Sequence, residues 1–281
     1  MTTSTQADRD RAELAALISA AVAELTAQWA RLTRAQDRLL RALERLHPGL
    51  GATTRIRRHI VAFNEEVGEF NRLARAIAER WAGQDLPVAY RDGALRALDR
   101  VTAGGVLFRW TQDHQAAVTV LTATFYADLM RRIAEAVRRA QVFSRSAQQA
   151  ARDVTLGRNR EGVNTRQLLA QHPMGTVIYA NQSRHPVAAW AASALLWQGV
   201  VAANRGAINA GRWELDALWF ECVDGPECGF TSHQDTDHAN GTIRSADDAG
   251  AYPTAHHGCV RQWIPRPDLN HRLDITSGDP A

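Results

Sequence analysis

Lysine is absent from this chain. All 33 basic residues are arginine, and 30 acidic residues leave a formal charge of only +3. So complete a bias follows GC-rich coding better than any one activity. The small net charge excludes a tract that would hold nucleic acid or anionic lipid by electrostatics alone. Long hydrophobic runs are also missing. No 18 apolar residues follow one another, so no segment reads as a membrane span. The most apolar stretch, residues 187–201, is short and is interrupted by Ser193 and Gln198. The polar, acid-bearing start MTTSTQADRDRAE lacks the basic-then-apolar pattern of a secretory signal. Cysteine is scarce and odd in number: Cys222, Cys228 and Cys259. Without an export signal, that argues for reduced thiols or a metal site and against a disulfide framework. P-loop, G-x-S-x-G, H-E-x-x-H and zinc-deaminase motifs do not occur, which removes the sequence grounds for those enzyme classes.

What is present is a chain of 281 residues, 45% apolar and 22% charged, enough to bury a sizeable core. The apolar period is helical over the first half. Leu14, Ile18, Val22, Leu25, Trp29, Leu32, Leu39, Leu43 and Leu46 place one long helix over residues 8–46, stopped by His47, Pro48 and Gly49. Ile56, Ile60, Phe63, Val67, Phe70, Ala74, Ile77 and Trp81 continue with the three–four steps of a coiled-coil seam. Residues 8–82 therefore read as an antiparallel hairpin, with Leu14, Leu25, Trp29 and Leu32 facing Ile60, Phe63, Val67 and Phe70. Residues 83–110 read as broken by Gly83, Pro87, Gly93, Gly104 and Gly105, with a short helix near residues 94–101. A third long helix is expected over residues 111–152, with an apolar face of Val118, Leu121, Phe125, Leu129, Ile133 and Val137 and an arginine-rich opposite face.

The polar linker at residues 157–162 suggests a boundary, giving a helical domain over 1–160, a mixed domain over 161–269 and a flexible tail over 270–281. In the mixed part, Asn164 can cap a short helix and residues 176–179 suit a strand. Pro186 can open a helix running to about residue 209. Residues 215–222 suit a strand and 224–226 a turn. Residues 230–254 read as polar and turn-rich, and residues 259–264 as a closing strand. The fold class expected is α+β, mostly α.

All three cysteines lie in the last quarter of the chain, among histidines and acids. A Cys/His set converging from two strands could bind zinc, which takes four such ligands in a tetrahedron. The candidate metal ligands are Cys228, His233, His256 and Cys259, with Cys222 and His257 in reserve, and the metal would be structural. The same residues could equally form a packed, hydrogen-bonded cluster without metal. A small metal-dependent nuclease with a histidine base, and a DNA-binding or regulatory module, are the two alternative function classes.

An ordered string of motifs runs through this region. It comprises Asp224-Gly225-Pro226-x-Cys228-Gly229, Thr231-Ser232-His233-x-Asp235, Ala239-Asn240-Gly241-Thr242 and Ala255-His256-x-x-Cys259-x-Arg261, ending in Pro265-Arg266-x-Asp268-Leu269. In this order it resembles the C-terminal part of Mu F-like phage minor head proteins over about a third of the chain. His257 stands where that family usually has proline, and the C-x-x-C of many members is missing. The resemblance implies a non-enzymatic minor capsid protein that assists head assembly. Its partners would be the portal or the major capsid protein, and packaged DNA where it leaves with the genome. Its place would be the virion, and the host cytoplasm during assembly.

Overall fold

The computed structural model describes residues 2–179, 181–224, 239–272 and 274–281. It has an α+β, mostly α fold. Helix α1 spans Thr2–Glu44 and α2 spans Ala52–Arg80, separated at the His47, Pro48 and Gly49 break. The expected interruption at residues 83–110 is corrected. The helix passes through a single π-type turn, Trp81–Asp85, into α3, Leu86–Thr102. The wider turn lets Leu86 N donate to Trp81 O and absorbs Pro87, which lacks an N–H and would crowd a regular turn. The real break follows Thr102, where Ala103 and Gly104 take left-handed backbone (φ 49° and 83°). Helix α4 spans Gln112–Thr155, and its first turn is capped by Thr111 Oγ1, which accepts from His114 N at 3.3 Å.

Helix α5, Thr165–Gln171, is capped by Asn164 as expected. Strand β1, Thr176–Ile178, pairs antiparallel with β2, Arg184–Pro186. Pro186 thus ends a strand, and α6 begins at Val187 and runs to Glu214, five residues beyond the expected end. The expected strand at residues 215–222 is shortened to β3, Trp219–Val223, because Asp216 adopts left-handed backbone (φ 50°). The described part of the turn-rich stretch contains β4, Ile243–Ser245, and α7, Ala246–Ala251. The closing strand is β5, Gln262–Pro265. Of the expected turn at residues 224–226, only Asp224 lies within the described residues. The C-terminal residues hydrogen-bond to β4 and its approach: Ile243 N donates to Asp279 O, Gly278 N to Ile243 O, and Ala281 N to Gly241 O.

The chain forms two compact units, one of Val22–Glu79 and Ala127–Ala191, the other of Met1–Ala21, Arg80–Tyr126 and Ala192–Ala281. In the first, the hairpin seam is built largely as the periodicity predicts. Leu25, Trp29, Leu32, Ile60, Phe63, Val67 and Phe70 are all buried, and Trp29 meets Phe70 edge-on at 4.7 Å. Arg31 pairs with Glu69 and Glu66, and Arg38 with Glu66, so the two helices run antiparallel. Leu14 is half-buried and falls outside this unit, so it does not belong to the seam. The free edge of β1 is covered by α4: Arg139 donates to Thr176 O and Arg132, a heptad earlier, to Ile178 O.

The second unit holds the antiparallel sheet β4-β3-β5. Strand alternation turns Phe220, Cys222 and Trp263 inward, where they pack with Ile208 of α6. Glycines let α6 approach its neighbours. A Cβ on Gly211 would come within 2.7 Å of the Phe220 ring, and one on Gly206 within 1.9 Å of Tyr90 O on α3. Helix α6 is long and apolar enough to cross a membrane, but 61% of its most apolar window is buried within the fold. There Gln198 accepts a buried hydrogen bond from Trp81 Nε1.

Candidate functional site

Antiparallel pairing of β3 with β5 sets Val223 opposite Gln262. The next residues outward, Asp224 and Arg261, are thereby brought face to face. Arg261 Nε donates to Asp224 Oδ1 at 2.7 Å and Nη2 to Oδ2 at 3.1 Å, and neither side chain is exposed. A planar guanidinium matches a carboxylate in this two-pronged way, which makes the pair directional. The surroundings hold both partners in place. Asn240 Oδ1 accepts from Asp224 N, Asn204 Nδ2 donates to Arg261 O and Pro253 O, and Arg261 Nη1 donates to Tyr252 O. The Arg261 guanidinium also lies 5.3 Å from the Trp263 ring centroid. The motif residues Asp224, Asn240 and Arg261 thus act together from three points on the chain.

Two buried thiols complete this cluster. Cys222 Sγ lies 3.7 Å and Cys259 Sγ 3.9 Å from Asp224 Oδ1, and Cys259 Sγ also accepts from Arg261 N at 3.4 Å. Of the four expected metal ligands, Cys228 and His233 lie outside the described residues. His256 and Cys259 share one turn, closed by Cys259 N donating to His256 O at 3.1 Å. His256 Nδ1 lies 3.1 Å from His257 O, and the reserve ligand His257 is exposed with its ring 4.8 Å from that of Trp197. Among the described residues no three His, Cys, Asp or Glu side chains are grouped to hold a metal. The carboxylate nearest the thiols is instead engaged by Arg261. The described half of the ligand set is one turn carrying a thiol, which lies against Asp224 and Arg261, and an imidazole whose Nδ1 lies against the His257 carbonyl.

A second polar cluster was not legible in the sequence. Asn209 Nδ2 donates to Tyr90 Oη at 2.8 Å, Tyr90 Oη lies 2.7 Å from His114 Nδ1, and His114 Nε2 lies 2.8 Å from Glu214 Oε1. Burial pushes the Tyr90 hydroxyl up to about 12. The Asn209 bond and the Arg205 charge oppose that rise, and the Glu214 charge reinforces it. Aromatic rings enclose the imidazole: Phe108 at 4.8 Å, Trp213 at 4.7 Å and Trp110 at 6.4 Å. Tyr90 and His114 are 24 residues apart, and His114 and Glu214 are 100 apart. No local motif links them, and Tyr90 sits where the sequence suggests broken structure.

Compared with protein-family models, curated proteins and solved structures, the chain matches none.

Proposed function

We propose that this chain is a non-enzymatic minor structural protein of a tailed-phage head, working in head assembly at the portal or inner capsid. The single observation that supports this reading is the ordered motif string, four of whose described members brace the fold. Asp224, Asn240, Cys259 and Arg261 all point inward, at the junction of β3, β5 and the chain leading into β4. On this reading the motif holds a small domain in shape for docking, and the contacts are to portal or major capsid protein, and to packaged DNA where the protein leaves with it. Cys228, His233, His256 and Cys259 would add a structural zinc to the same junction, tying the segment after β3 to the closing strand. A structural metal supplies folding free energy directly where a polar segment has little apolar area to bury. Location in the virion, and in the host cytoplasm during assembly, follows from the same reading.

The test is composition and phenotype together. Mass spectrometry of purified virions should find the chain in the head, and it should co-purify with portal oligomers. Deleting its gene should lower infectious particles while tails still form. Elemental analysis of protein purified without chelator checks the zinc. Purified protein that cut DNA with added divalent metal, and stopped cutting on His233→Ala, would replace this reading with a nuclease.

A further inference from the structure

The whole chain is nearly neutral, but the fold divides its charge unevenly. The unit of residues 22–79 and 127–191 carries 20 arginines against 11 acidic residues, a net of +9, and the other unit carries 13 against 19, a net of −6. The total of +3 therefore excludes a nucleic-acid tract only for the chain taken as one body. Most of the excess lies in residues 127–191, with ten arginines and four acids. Along α4, Arg131, Arg138, Arg145 and Arg152 recur at seven-residue steps, and all four are exposed. Seven residues make nearly two helical turns, so the four form one line about 31 Å long. It runs opposite the face that buries Ile133, Ala136, Ala140, Phe143 and Ala147. Between Arg131 and Arg152 the other exposed residues are Gln141, Val142, Gln148 and Gln149, so this outer face has no acid and no aromatic ring. The two carboxylates of the same stretch are engaged elsewhere, Glu135 by Arg139 and Asp153 by Gln149 and Arg158. Arg131 lies 3.7 Å from Asp128, while Arg138, Arg145 and Arg152 form no ion pair among the described residues.

We infer that this line of arginines binds the phosphate backbone of duplex nucleic acid, without reading its sequence. A duplex is a uniform polyanion, with one charge per roughly 1.7 Å of its axis, and the arginine line is about as long as one of its turns. Neighbouring arginines stand about 10 Å apart along the helix, near the screening length at 0.1 M salt, so they repel one another little while each can still meet a phosphate. The guanidinium fork matches phosphate oxygens in two-pronged fashion. Contacts of this kind position a protein on the duplex and carry no sequence information. The absence of an exposed ring on this face disfavours a single strand, whose bases need a surface to stack on. An acidic protein surface offers its charges at irregular distances and has no use for an even spacing. The inference deepens the head-assembly reading at its DNA contact, but the charge geometry stands without that reading. Duplex binding by a chain missing from purified virions would remove head assembly and keep the arginine line; a chain present in virions that binds no duplex would do the reverse.

Fluorescence anisotropy tests it with the full chain and two labelled DNA duplexes of unrelated sequence, each of about 24 base pairs, in roughly 50 to 200 mM sodium chloride. Both duplexes should bind alike, and log K should fall with log salt at a slope of about −3 to −4, the value for four phosphate contacts. Each single change Arg131→Gln, Arg138→Gln, Arg145→Gln or Arg152→Gln should flatten that slope by about 0.9. The four together, with helix content checked by circular dichroism, should flatten it by more than half and weaken binding at least about tenfold at the lowest salt. A control with Arg91→Gln, Arg109→Gln, Arg212→Gln and Arg272→Gln makes the same charge change at exposed positions of the other unit and should bind as the native chain does. Absence of duplex binding at the lowest salt, a slope unmoved by the α4 changes, or an equal loss in the control would overturn the inference. A marked preference for one duplex would overturn its sequence independence. Polyglutamate binding more tightly than the duplex would overturn it in favour of an acidic protein surface.

Discussion

Removing one partner of the buried Asp224/Arg261 pair should unbalance the whole sheet junction. The Asp224→Ala change leaves a guanidinium that has zero exposure and cannot shed its charge. It loses two short bonds and keeps the Tyr252 carbonyl and the Trp263 ring face. Stripping a buried ion of its counter-charge costs about 3–5 kcal/mol. Against a total stability of roughly 5–15 kcal/mol for a folded domain, that is a large share. Arg261→Met strands the carboxylate instead and should be destabilising to a comparable degree. The double variant Asp224→Leu with Arg261→Met removes both charges and should recover at least half of the Asp224→Ala loss. Urea unfolding followed by far-ultraviolet circular dichroism measures all three. A loss below about 1 kcal/mol for Asp224→Ala, or a double variant as unstable as the two single losses combined, would refute the assignment of this pair as the brace of the sheet.

Three further outcomes are expected. One of the four tyrosines should titrate at about 12 by ultraviolet absorbance, and that step should vanish in Tyr90→Phe. Because the folded value lies above the ordinary 10, its contribution is complete below pH 10 and is lost as the pH rises toward 12, by roughly 2–3 kcal/mol. Burial raises the Asp248 carboxyl, but bonds from the Ser277 hydroxyl and Arg244 outweigh that and hold it below its ordinary value. That contribution is present above the ordinary carboxyl range and is lost as the pH falls through the folded value. Asp248→Asn should therefore broaden the backbone NMR signals of residues 276–281 at neutral pH, where the native protein shows the change only in acid. Gly206→Val should prevent folding or lower the melting temperature sharply, since even a Cβ there meets Tyr90 O at 1.9 Å; an unchanged melting curve would show that α3 and α6 do not cross so closely.

The N-terminal hairpin was legible because its information is local. Large apolar side chains at three–four spacing leave one favourable face, and the pattern of Trp29 and Phe70 already implies their contact. The caps of α5 and the closing strand were legible for the same reason: a single side chain or a short alternating run decides them. Where local signals conflicted with packing, packing prevailed. Gly83 and Pro87 read as a break, but a wider turn carries the helix past them into α3. The motif residues announced a cluster without its geometry. Only the pairing of β3 with β5 sets Asp224 against Arg261, and only there do Cys222 and Cys259 converge on one carboxylate oxygen. The Tyr90, His114 and Glu214 bonds had no signature in the chain at all. Partners 24 and 100 residues apart meet only because α3, the start of α4 and the end of α6 pack together, and periodicity carries no record of such distances.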